Sequence, residues 1–254
     1  MGKRKMSERL GEISYSTYGR KMEIINYINV KNVIIQFENG CIVKSSYSSF
    51  IKGIIINPYD KSICKVGYLG EGIYSRVNQK AKVYATWDAM IRRCYDDKIQ
   101  KKFPTYIGCS VCDEWLNFQN FAKWFEEYHY EVEYEKMSLD KDILIKGNKV
   151  YSPQTCVFAP QKINVMFVKC DKTRGKYPIG VVSIKKGKFF IAKCSNTILN
   201  KVVHLGIFKT PEQAFISYKK YKENLIKTVA NMYKPYIPLN LYNSLIRYRV
   251  DITD

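Results

Sequence analysis

Residues 138–158 read SLDKDILIKGNKVYSPQTCVF. Asp140 and Asp142 flank Lys141 just before a turn, and Cys156 and Asn164 follow the next apolar run. Carboxylate and amide oxygens are ligands of the kind that Mg²⁺ and Mn²⁺ take. An ion held there would neutralise charge on a phosphate and activate water. The spacing suggests a metal-dependent nuclease site. Such a site usually carries a histidine, and a lysine stands in its place here. A plainer reading stays open, in which Asp140 and Asp142 cap the turn and face solvent.

Cys109-x-x-Cys112 is half of a zinc site, since a structural zinc needs four ligands. The competing reading is a set of buried thiols acting as small hydrophobes. The eight cysteines form no regular framework, which favours a reducing compartment over a disulfide scaffold.

The elements that must position these residues follow from pattern and charge. The 254-residue chain carries a formal net charge of +19, unevenly spread. Residues 1–62 hold +5, residues 63–170 hold +3 and residues 171–254 hold +11, and three modules with those boundaries are expected. A polyanion is the natural partner of so basic a last third. The longest apolar runs are too short to span a membrane. The charged start MGKRKMSERLGE lacks an apolar signal core. No membrane association and a cytoplasmic location are therefore expected.

Short Ile- and Val-rich runs at 21–27, 33–37 and 41–44, with Asn39-Gly40 between the last two as a tight I′ turn, predict a small N-terminal β-barrel or meander. Residues 60–80 read as a glycine-bearing linker. Helical periodicity from 81 to about 94 and from 117 to 128 predicts two helices around an aromatic core of Trp115, Phe118, Phe121, Trp124 and Phe125. Strands are expected at 179–184, 188–194 and 202–208. Thr210-Pro211-Glu212 then starts a helix running to about Tyr233, because it supplies an N-cap, a proline at the first position and an acid in the first turn. A short helix is expected over residues 239–248. The fold class is α+β.

Two segments resemble known families. The order ATWDAMIRRCYDD, CSVCDEWLNFQNFAKWF, SLDKDILIKGNKVYSPQTCVFAPQKIN over residues 80–168 resembles the HNH (ββα-metal) endonuclease-like proteins common in phage genomes, including free-standing homing endonucleases. GKYPIGVV, KGKFFIAKC and HLGIFKTPEQAFISY, over residues 174–230, resemble the Apetala-type DNA-binding domain. That domain lays three strands in the major groove and backs them with one helix. The first resemblance implies that Asp140 and Asn164 hold one Mg²⁺ or Mn²⁺, that Lys141 falls at the general-base position and Thr155 at that of a loop asparagine. It also implies Cys94 and Cys156 as the completion of a zinc site with Cys109 and Cys112. His129 lies outside the motif and His204 belongs to the last module.

The second resemblance implies double-stranded DNA as partner. Arg174, Lys176, Lys185, Lys186, Lys188, Lys193 and Lys201 lie on or beside its strands, and alternation would put several on one face. Such lysines contact phosphates more than bases, and Arg174 is the expected base contact. Together these features imply a DNA-binding protein with a degenerate HNH core that nicks or cuts DNA. Two rivals remain open: a catalytically inactive DNA-binding regulator, and a phage counter-defence factor that inhibits a host nucleic-acid enzyme and acts in the host cytoplasm.

Overall fold

A computed structural model describes residues 9–75, 81–168 and 176–254, so Arg174 lies outside the described residues. The protein is mixed α+β, with several small sheets among its helices. It divides into two compact units, residues 1–107 with 111–123, and residues 108–110 with 124–254. No helix among the described residues is long and apolar enough to cross a membrane.

The first unit opens with β1 (Ile13–Tyr15), β2 (Lys21–Asn29), β3 (Asn32–Phe37) and β4 (Ile42–Ser45), paired antiparallel in chain order. The expected barrel does not form, because β1 and β4 stay unpaired edges of an open meander. Both are short, and the inner face is covered another way. Alternation buries Val33, Ile35 and Phe37 with Met22 and Ile24 in one cluster with Phe50 of α1 (Tyr47–Ile51). A helix lid leaves no apolar face for closure to bury.

The turn after β3 also differs from expectation. Of Glu38, Asn39 and Gly40 only Gly40 has positive φ, at 85°. Its N–H donates to the Phe37 carbonyl at 2.9 Å, and Phe37 donates to Cys41 at 2.8 Å. This is a three-residue loop with glycine in the left-handed position, one residue longer than an I′ turn.

Residues 60–75, the described part of the expected linker, are stitched into the same unit. Tyr68 donates to Leu116 and accepts from Phe118, both at 2.9 Å. The Gln119 side chain donates to the Leu69 and Tyr74 carbonyls. Around them stand α2 (Ala81–Tyr95), α3 (Asp97–Lys102), α4 (Asp113–Leu116) and the start of α5 (Phe118–Tyr128). Trp87 packs 5.4 Å from Phe118 and donates its indole N–H to the Trp115 carbonyl at 2.7 Å. Trp115, Phe118, Phe121, Trp124 and Phe125 are all buried, as their spacing predicts.

The second unit holds the opening motif. Strands β6 (Met137–Asp140) and β8 (Val157–Pro160) pair antiparallel, with Asp140 opposite Val157. β7 (Val150–Tyr151) lies in the connection between them, and α6 (Gln161–Asn164) follows β8 directly. Ser110, in β5 (Ser110–Val111), donates to the Lys149 carbonyl at 2.9 Å. Then β9 (Val181–Ile184), β10 (Phe189–Asn196) and β11 (Lys201–Phe208) make a three-stranded antiparallel sheet in the order β11-β10-β9.

α7 (Pro211–Tyr233) packs across that sheet, and α8 (Leu239–Arg247) packs on α7. The helix starts where expected, with the Thr210 hydroxyl accepting from the Gln213 N–H. Gly180, at φ +77°, lets the strand approach so closely that a Cβ there would lie 2.0 Å from the Tyr218 ring. One apolar core joins Ile143, Val157, Ala159 and Ile163 to Phe190, Ala192, Phe215, Leu225 and Leu241. The motif, sheet and helices therefore share a single interior. Lys222 of α7 reaches into it and is only 9% exposed. It has no hydrogen-bond or ion-pair partner among the described residues and lines a small cavity with Tyr218, Tyr248, Val250 and the buried Asp254. Burial lowers its pKa.

Candidate functional site

Asp140 ends β6, where the pairing with β8 stops and the chain must turn. Its Oδ1 accepts the N–H groups of Asp142 and Ile143, both at 2.8 Å, so the side chain caps the turn it begins. Burial first, and the Asp142 carboxylate second, push its pKa up to about 6, against the lowering pull of the two N–H bonds. The carboxyl is thus divided between its neutral and charged forms near pH 6.

Lys141 does not face solvent. It is 6% exposed, and its ammonium donates at 3.0 Å to both Asp142 Oδ2 and the Asn148 carbonyl. Burial disfavours its charge, but Asp142 and the hydrogen bond to it outweigh that and the pKa is raised. A lysine held charged with its donors engaged is no general base at neutral pH. Its structural work is to staple the loop. Asn148 completes the staple, donating from Nδ2 to the carbonyls of Lys141 and Val150 at 2.7 Å each. Sequence reasoning missed Asn148. The signal was the Gly147-Asn148 pair, a turn dipeptide whose side chain bonds nearby backbone.

Thr155, at the expected loop-asparagine position, donates to the Val150 carbonyl at 2.7 Å. Further along the loop, Lys146 is tied to Asp251 at 2.5 Å and to Asp254 at 2.8 Å.

Asn164 is half-buried at the end of α6, and α6 contacts β6. β6, β8 and the helical turn α6 thus follow one another along the chain. His129 stacks on Phe125 at 4.5 Å and meets Phe158 edge-on at 4.9 Å. Phe158 is opposite Leu139, the neighbour of Asp140, so it leaves the ribbon on the other face from Asp140. His129 therefore does not supply the missing base.

Of the expected zinc ligands, Cys94, Cys109 and Cys156 are buried and Cys112 is half-buried. Burial raises the pKa of Cys112, against the thiolate form that binds metal. Among the described residues no three of His, Cys, Asp and Glu stand together as a metal-holding group. That does not bear on an Mg²⁺ held by Asp140 and Asn164, since such an ion keeps most of its waters.

The basic face takes a different form from the one alternation implies. Cross-strand pairing sets Phe190, Ala192 and Cys194 towards α7. The opposite face carries Ile184 with Phe189, then Val182 with Ile191 and Ile207, then Lys193 with His204, then Ser195 with Val202. Only Lys193 of the expected lysines projects from the middle of it. Lys185, Lys186 and Lys188 are exposed in and beside the β9–β10 turn, Lys201 at the start of β11, and Lys176 ahead of β9. Lys185 and Lys186 hold positive φ, 49° and 56°, which L-residues adopt at a cost. Lys185 reaches back over the Phe189 ring at 5.5 Å. Arg174, the expected base contact, lies outside the described residues.

No family model, curated protein or solved structure matches this chain.

Proposed function

We propose that the protein binds double-stranded DNA through the outer face of the β9–β11 sheet. The observation that carries this reading is the uncovered face: α7 packs one side of the sheet, while among the described residues no element packs the other side, which is rimmed by exposed lysines. A segment of charge +11 gives that rim a polyanion to meet. In this reading the HNH-like segment is a structural turn, with Asp140 as cap and Lys141 as staple.

Binding should be strongly salt-dependent. With about five rim lysines on phosphates, log K against log salt should fall with a slope of roughly −4 to −5. Fluorescence anisotropy with a labelled duplex between 50 and 300 mM salt (roughly the usual range) measures it. A slope near zero, or no binding at low salt, rejects the reading.

A second reading is favoured by one observation, the adjacent Asp140 and Asp142 carboxyls with Asp140 held up to about 6. A dication on Asp140 and Asn164 would relieve that crowding. The residues fit such an ion in part, since the Lys141 ammonium already answers Asp142. The ion, when bound, would polarise a phosphate and activate its water. Nicking of supercoiled DNA with Mn²⁺ tests this reading. It should vanish in Asp140→Asn, which keeps the cap of the turn and removes the carboxylate ligand. Asp140→Ala is the poorer test, because it also removes the cap of the turn. Tight binding without nicking across metals leaves the non-catalytic reading standing.

A further inference from the structure

We infer that the sheet reads the C5-methyl groups of thymine, so that the protein prefers thymine-bearing duplex to the same duplex with uracil. The inference rests on the proposal that duplex DNA docks on the outer sheet face. It follows from what that face lacks. Base edges in the major groove are usually distinguished by two-pronged donors and acceptors: Arg or Lys on guanine, Asn or Gln on adenine. Among the described residues no Arg, Asn or Gln stands on the outer rows of β9, β10 and β11, and Lys193 is the one lysine there.

The central row is wholly aliphatic. Val182, Ile191 and Ile207 are aligned across three strands, flanked by Ile184 and Phe189. Val182 is 37% exposed and Ile207 64% exposed, so the row is presented rather than buried. Polar side chains occupy the other end of the face: Lys193, His204 and Ser195. The one apolar group that base pairs offer in the major groove is the thymine methyl. Lysines at the turn and the strand start suit the flanking phosphates, which positions the aliphatic row over base edges. The charged rim argues for DNA as occupant over an apolar protein surface.

The test uses the full chain and four duplexes. One sequence carries thymine or, in every thymine position, uracil; a second, G·C-rich sequence carries cytosine or 5-methylcytosine. Uracil keeps every hydrogen-bonding group of thymine and loses only the methyl. Affinity should fall roughly threefold to tenfold from thymine to uracil, the range for losing one or two buried methyl contacts. 5-Methylcytosine should strengthen binding over cytosine in the same range. The double variant V182T/I207S changes exposed side chains only, and should lose the thymine-to-uracil difference while keeping the salt slope.

Equal affinity for the thymine and uracil duplexes overturns the inference and leaves the docking proposal intact. A difference that persists unchanged in V182T/I207S also overturns it, because duplex shape would then be its source. No binding to any duplex overturns both, and points to a protein partner for the aliphatic row.

Discussion

Replacing Asp140 with asparagine separates two things its carboxylate does. Asparagine keeps an oxygen for the Asp142 and Ile143 N–H groups and drops the buried charge. The folded pKa of Asp140, about 6, lies above an unfolded aspartate near 3.9. The native state therefore binds the proton more tightly. Its contribution is full below about pH 3.9 and is lost as pH rises through about 6. Asp140→Asn should melt as the wild type does near pH 4 and gain on the order of 1–2 kcal/mol on it at pH 8. Asp140→Ala should instead lose about 1–3 kcal/mol, from two orphaned N–H groups. Melts from pH 4 to 8 compare the three proteins. Lys222 gives the opposite sign. Its folded pKa is lowered, so the unfolded chain binds more protons and stability rises with pH. Lys222→Met should raise Tm by about 2–4 °C at pH 7. The gain should shrink as pH approaches the unfolded lysine value near 10.4. A Tm that falls in Lys222→Met would show that the ammonium has a partner in solution.

The helices and strands with local signals stand where sequence placed them. Thr210-Pro211-Glu212 carries its own cap, its own φ and its own charge, and α7 begins there. What sequence misjudged depended on contacts that form only when the chain folds back on itself. The inner face of the four strands is covered by Phe50 of α1, five residues past β4. The aromatic set was legible as core from its spacing, but the burial of Lys141 was not. Its partners, Asp142 and Asn148, meet it only once the loop has folded back. The lysine face was half legible. Alternation gives the correct faces, but strands ending at Ile184 and restarting at Phe189 leave Lys185, Lys186 and Lys188 in the turn. A bulge between Ala192 and Lys193 then brings His204 opposite Lys193. Packing between sheet and helix gives a test at this scale. Gly180→Ala must adopt positive φ and drive a methyl into Tyr218, so it should cost roughly 2–3 kcal/mol, more than ordinary glycine replacements. Urea unfolding reads it. A loss under about 0.5 kcal/mol would mean that α7 stands off the sheet.

At the scale of the molecule, the unit formed by residues 108–110 and 124–254 holds both the Asp140 turn and the sheet proposed for DNA. The sequence resemblances divide that stretch at residue 170, yet Ile143, Val157 and Ile163 share their core with Phe190, Phe215 and Leu241. Calorimetry should accordingly resolve one transition for this unit, to which Asp140→Asn and Gly180→Ala both contribute shifts. Two separable transitions would divide it again. A shared interior also limits how such a chain can be cut and rejoined. A fragment beginning at residue 171 would bare the side of its core that Ile143, Val157 and Ile163 cover, and should aggregate rather than bind. Recombination that exchanged only the sheet and its helices would inherit the same wound. The Asp140 turn would then persist in descendants as ballast that keeps the sheet folded, whatever its own chemistry.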